Sequence, residues 1–207
     1  NFGQRSPFAR AMWLNAFGHG SDVSYDGPAT ALAYEQPEAI PPKQRPPNVL
    51  LVVLESGRAD ILDDPALAPN LHALAGESIR PERAYSTTTH TTKALVGILC
   101  GIPPAPEMEL TESFPDGIPT ACLPALLNDF GYETSFVQSA DGGFEDRFRL
   151  VANMGFANFT AQKELLERSP ELEPWGYLAM DDRALAAPVL ERLARSDRPQ
   201  FVTALTS

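Results

Sequence analysis

Two stretches of this sequence could do chemistry: Pro47-Asn-Val-Leu-Leu-Val-Val-Leu-Glu-Ser56, and, about thirty residues later, Tyr85-Ser-Thr-Thr-Thr-His-Thr-Thr-Lys-Ala-Leu95. The first delivers a carboxylate, Glu55, at the tip of an apolar strand, which is where open α/β sheets place their ligands. Such a carboxylate needs compensation, and a hard divalent cation is a natural source of it. Glu55 or Ser56 could equally cap a following helix. The second stretch sets hydroxyls just before a helical run, where backbone N–H groups point outward and favour an anion. A hydroxyl there could attack phosphorus or sulfur, but Thr is a weak nucleophile until a metal or a base activates it. Glu55 is a candidate ligand for that metal. The competing reading is a β-branched strand end followed by ordinary Thr caps.

Three more side chains belong to the candidate set. His90 could bind a metal or a substrate anion, or be an exposed loop histidine. Lys93 could neutralise a phosphate or stay solvated. Arg147 ends Asp141-Gly-Gly-Phe-Glu-Asp-Arg147 and offers a planar, bidentate donor suited to phosphate. It could instead form an exposed ion pair with Glu145 or Asp146 at a helix start. His19 and His72 have no supporting ligand spacing, and His72 reads as a surface position.

The elements that must position these groups alternate apolar β-rich runs with helical patterns, the signature of βαβ units. Strands are predicted at 48–54, 79–85, 132–137 and 200–205. Helices are predicted at 66–76, 91–100, 121–130, 147–154 and 181–195, with Gly101 and Gly131 as C-terminal stops. The fold class is therefore α/β, a mainly parallel sheet with helices on both faces. The strand at 48–54 is apolar on both faces and is expected in the sheet's centre. Residues 1–47 are rich in proline and read as an arm or linker leading into the body of the chain, 48–207. Within the arm, Phe8, Met12, Trp13 and Phe17 sit at near-helical spacing and could dock on the body or lie near a membrane surface.

Composition bounds the partners. The 207 residues carry 43% hydrophobic residues, enough for a sizeable core, and a formal charge of −11. That charge disfavours nucleic acid and anionic lipid, which need a basic face. No apolar run is long enough to span a membrane, and a first residue of Asn suggests a missing upstream segment. Cys100 and Cys122 are either a disulfide of an exported domain or two buried thiols.

Together these residues resemble the sulfatase-like branch of the alkaline phosphatase superfamily, most closely the lipoteichoic acid synthase and phosphoethanolamine transferase type. The markers are Asn48-Val-Leu-Leu-Val-Val-Leu-Glu-Ser56, Ala68-Pro-Asn-Leu-His-Ala-Leu-Ala75, the Thr-rich helix start, Leu123-Pro-Ala-Leu-Leu with Gly131-Tyr-Glu-Thr134, and Trp175-Gly followed by Asp181. The resemblance implies a truncated alkaline phosphatase-like fold over residues 48–207. It makes Glu55 a ligand of Zn²⁺ or Mn²⁺ and Thr91 the metal-bound nucleophile. Overlaying the sulfatase pattern instead would select Thr89, and Thr92 is a third register. Thr91 is preferred, because a sulfatase needs Cys or Ser at this place and the chain has neither. Arg147 falls where the synthases contact the head group. The remaining metal ligands, an Asp-His pair and further His residues, are expected beyond Ser207, so this stretch alone should be inactive.

The resemblance implies a metal-dependent phosphoryl or sulfuryl ester hydrolase or transferase. Its substrate would be a phosphodiester head group of a lipid or cell-envelope glycan. It implies a bacterial membrane protein, attached through the upstream segment, with its catalytic domain facing the periplasm or the exterior. Two rivals stand beside it: a non-catalytic relative that binds a glycan or lipid head group, and a true sulfatase. A dinucleotide-dependent enzyme is disfavoured, since Ser56-Gly-Arg-Ala follows the first strand in place of a glycine-rich fingerprint.

Overall fold

The computed structural model describes residues 46–103, 109–172, 174–175 and 179–207. The proposed helix around Trp13, and nearly all of the 1–47 arm, lie outside the described residues. Four strands form one parallel sheet: β1 (Val49–Val53), β2 (Glu133–Gln138), β3 (Asn158–Thr160) and the last strand, Gln200–Leu205. A two-stranded antiparallel pair, β4 (Pro174–Trp175) and β5 (Ala179–Met180), stands apart, so the last strand is β6. The sheet order is β1-β6-β2-β3. Val49 faces Phe201 on one side of β6, and Thr134 faces Phe201 on the other.

Side chains on β6 alternate between two cores, as the period of two requires. Phe201 and Leu205 join Phe136, Phe156, Leu95, Leu99, Leu150 and Met154 on one face. Val202 and Ala204 join Val137, Leu165, Met180 and Val189 on the other. The first face is covered by α3 (Thr91–Cys100), α4 (Leu123–Asp129) and α5 (Arg147–Asn153). α6 (Gln162–Arg168) and α7 (Ala186–Leu193) cover the second. Phe136 is wholly buried, its ring edge-on to Phe156 at 5.3 Å. Burial of one such side chain stabilises by about 1.5–3 kcal/mol.

Two short helices, α1 (Ala59–Asp63) and α2 (Pro69–Gly76), follow β1, and none of α2's residues is buried. His72 is exposed there, as expected. α3 stops at Gly101, whose φ of 67° is the left-handed conformation that glycine adopts without penalty.

Two expectations need correction. No strand forms at 79–85: Pro81 removes a ladder donor, charged residues surround it, and Ile79 is fully exposed. β1, expected at the centre, lies instead at the edge of the described sheet, with Leu50 44% and Val52 50% exposed. β6 takes the central place, with all six of its residues buried. An apolar run reports a capacity for burial, and the neighbouring strands decide whether it is used.

Candidate active site

Glu55, Ser139 and Thr206 all lie just past the carboxyl ends of parallel strands, so β1, β2 and β6 present one common edge. Glu55 is fixed there by its backbone: its N–H donates to Thr206 Oγ1 at 2.9 Å, and the Thr206 N–H donates to the Val53 carbonyl at 3.1 Å. Ser56 then turns the chain with φ 52° and donates its hydroxyl to Glu55 Oε1 at 3.1 Å. The tip of β6 is itself held, because Asp182 Oδ1 accepts from Ser139 Oγ at 2.5 Å and from the Ser207 N–H at 3.2 Å.

Thr91 is the first residue of α3, and its hydroxyl donates to Glu55 Oε2 at 2.8 Å. The two residues singled out from sequence thus meet directly. The first intrahelical bond of α3 runs from the Ala94 N–H to the His90 carbonyl, so the N–H groups of residues 91–93 precede the regular ladder. Thr91 is half-buried, whereas Thr92 is wholly buried and donates to Glu145 Oε2 at 2.6 Å. Thr89 is exposed.

Arg147 begins α5 and is only 3% exposed. Its Nη2 donates to Glu145 Oε2 at 3.2 Å, while Nε and Nη1 are buried without a partner. Burial pushes the guanidinium's pKa down, opposed by the charges of Glu145 and Glu55. The ion pair considered from sequence does form with Glu145, but it is buried. His90 Nε2 lies 3.3 Å from Glu145 Oε1, and its Nδ1 is buried and unpartnered. His90 is therefore paired with Glu145 and is not a free loop histidine.

Lys93 is the residue that the structure takes away from the substrate. Its ammonium is buried and lies 2.9 and 3.1 Å from the two oxygens of Glu112, so it neither stays solvated nor reaches the site. Burial forces the pairing, because an isolated ammonium in the interior costs several kcal/mol.

Sequence reasoning missed Glu112, Thr206 and the hub role of Glu145. Glu145 and Asp146 both adopt left-handed backbone, φ 54° and 52°, which folds the Glu145 carboxylate back onto α3. Only the acidic pair beside Arg147 hinted at this. The Cys100 and Cys122 alternatives resolve to a disulfide, which ties the end of α3 to the start of α4.

The site's donors bear on a metal. Glu55 and Thr91 are two residues with hard oxygen donors, and among the described residues no group of three or more His, Cys, Asp or Glu could hold an ion. The described residues do not by themselves fit Zn²⁺ or Mn²⁺, which ordinarily takes three or four protein ligands. Among the described residues no helix is long and apolar enough to cross a membrane.

The fold is that of the alkaline phosphatase superfamily. A superfamily member from Vibrio parahaemolyticus superposes with a TM-score of 0.65 at 24% identity, covering 79% of this chain and 41% of that one. The lipoteichoic acid synthase LtaP from Listeria monocytogenes superposes with a TM-score of 0.66 at 19% identity and the same coverage. The Streptococcus pyogenes phosphoglycerol transferase GacH, solved in complex with sn-glycerol-1-phosphate, gives 0.53 at 17% identity, covering 77% of this chain and 44% of that one. Within that fold the sulfatase family model matches residues 47–207, and the chain belongs to the sulfatase family. Similar sequences include phosphoglycerol transferase I of Xanthomonas campestris pv. campestris, 27% identical over 190 residues, and that of Escherichia coli, 29% identical over 202 residues. These alignments cover 84% and 88% of this chain, which spans about a quarter of the length of those relatives.

Proposed function

We propose that this chain carries part of the active site of a phosphoester transferase or hydrolase that acts on a phosphodiester head group, with Thr91 as nucleophile. The observation that carries the reading is the 2.8 Å hydrogen bond from the Thr91 hydroxyl to Glu55, made at the start of a helix on the carboxyl edge of the sheet. Glu55 there accepts the proton as Thr91 Oγ bonds to phosphorus. The P–O bond to the leaving alcohol breaks, and the alcohol departs with that proton. An acceptor hydroxyl or water then attacks phosphorus in the phospho-threonine, the P–O bond to Thr91 breaks, and the attacking group's proton passes by way of Glu55 to Thr91 Oγ. The unpaired N–H groups at the start of α3 face the developing charge on the phosphoryl oxygens.

Support for phosphoryl over sulfuryl transfer comes from Thr at this position, where a sulfatase requires Cys or Ser, and from similarity to phosphoglycerol transferases. The substrate class is a phosphoglycerol-type head group on a lipid or glycan. A divalent metal, Zn²⁺ or Mn²⁺, belongs to the reading, with Glu55 and Thr91 as two donors and the others from outside the described residues. When bound, such an ion lowers the pKa of a ligating hydroxyl. The disulfide favours an oxidising, outward-facing compartment at the bacterial cell envelope.

The test is Thr91→Ala beside Thr89→Ala in the full-length protein, read by turnover and by covalent labelling with a phosphodiester substrate. Loss of both signals in Thr91→Ala, with Thr89→Ala unchanged, is the expected result. The assignment fails if Thr91→Ala still labels.

A further inference from the structure

Glu145 holds a position that chemistry would reserve for a substrate anion. Its carboxylate accepts from Thr92 Oγ1 at 2.6 Å and Arg147 Nη2 at 3.2 Å, and lies 3.3 Å from His90 Nε2. Glu55, which accepts from the Thr91 hydroxyl, also acts electrostatically on Arg147, so this cluster neighbours the proposed nucleophile.

The carboxylate leaves two of the Arg147 donors without an acceptor. Arg147 is 3% exposed, yet Nε and Nη1 have no acceptor, and His90 Nδ1 is buried without a partner as well. Leaving buried donors of a charged group unpaired is costly. A phosphoryl group, with its additional oxygens, is the kind of acceptor that a guanidinium fork matches. Glu145 is moreover held in left-handed backbone, φ 54°, followed by Asp146 at 52°. Neither residue is glycine, so this backbone is strained and persists only while its contacts do.

We propose that Glu145 is an internal anion that occupies the His90, Thr92 and Arg147 donors in the resting site, and that the phosphoryl group of the head group must displace it to bind. The inference rests on the phosphoester reading above. Its consequence is a competition: the resting carboxylate lowers apparent affinity by the fraction of molecules in which it is seated. Once displaced, Glu145 leaves its donors to the substrate and its strained turn is free to relax.

The experiment measures calorimetric binding of sn-glycerol-1-phosphate to the full-length Thr91→Ala protein, in which no turnover intervenes. The added substitutions are Glu145→Gly, which suits the left-handed backbone and removes the carboxylate, and Glu145→Gln, which keeps the shape without the charge. Both should tighten binding, Glu145→Gly by about tenfold and Glu145→Gln by less. Inorganic phosphate should follow the same order. Unchanged or weakened affinity in both variants, with folding intact by circular dichroism, overturns the inference alone and makes Glu145 a support for Arg147. Absence of binding by every variant overturns the phosphoester reading together with it.

Discussion

Lys93 and Glu112 form a buried ion pair that joins α3, which carries Thr91, to a segment packed against α5. Lys93 lies in the first turn of α3, and Glu112 in a 3₁₀ turn, Thr111–Ser113, whose backbone carbonyl accepts from Asn153 at the end of α5. Each side chain is about 5% exposed or less. Removing one partner leaves the other charge buried and unpaired, so Glu112→Leu or Lys93→Met alone should lose roughly 3–5 kcal/mol. The double variant Lys93→Met, Glu112→Leu should recover most of it. Urea unfolding of the four proteins in the cycle measures the coupling, and additivity of the two single losses would contradict a buried pair.

Glu55→Gln keeps an oxygen within reach of the Thr91 hydroxyl but removes the charge that, in the proposed mechanism, accepts its proton. Turnover should fall by about 10²–10⁴-fold, the usual worth of a positioned base. Stability should change little, because Ser56 and the Thr206 contact still hold the turn. A kcat within a few-fold of the parent would show that Glu55 is not part of the chemistry.

The Cys100 to Cys122 bridge closes a loop of sequence separation 22 between α3 and α4. On the chain-entropy estimate it contributes about 3 kcal/mol. Cys100→Ser with Cys122→Ser should lower the urea midpoint accordingly, and the parent protein should show a similar drop once reduced. Equal midpoints with and without reductant would mean that the loop gains nothing from the crosslink.

Gly155→Ala should destabilise by about 1–3 kcal/mol. The backbone there has φ 84°, and an added Cβ would sit 2.6 Å from Ala125 Cβ on α4. The clash couples to a polar network, since Asn128 donates to the Gly155 carbonyl at 2.7 Å and accepts from Thr134 at 2.9 Å. Thermal melts test it, and an unchanged Tm would contradict the close packing of α4 on this turn.

Glu55 and Thr91 were legible because residue type and local pattern define both: a carboxylate ending an apolar strand, and a hydroxyl opening an amphipathic helix. α3 matched its predicted span of 91–100 because both ends carry local signals, the Thr run and Gly101. β3, with three residues, is too short to show a period, and its partner lies over twenty positions away. Lys93 was misread because its partner is 19 residues distant in a turn without periodicity. Glu145 escaped for another reason: its direction is set by left-handed backbone, which acidic side chains rarely announce. The disulfide was undecidable beforehand because pairing depends on Cα separation, here 4.0 Å, which only the packed helices determine.

The sheet order β1-β6-β2-β3 also has a temporal meaning. β1 is the earliest of these strands in the chain, yet its single strand neighbour in the described sheet, β6, lies about 150 residues downstream, Val49 opposite Phe201. Such a pairing carries a large loop-closure entropy and slows folding. Until residues 200–205 are available, β1 is an apolar segment with no ladder, and Glu55 lacks the Thr206 hydroxyl that fixes its backbone. Assembly of the site is therefore a late event tied to insertion of one strand, and pulse-labelled amide exchange should show β1 and β6 gaining protection together.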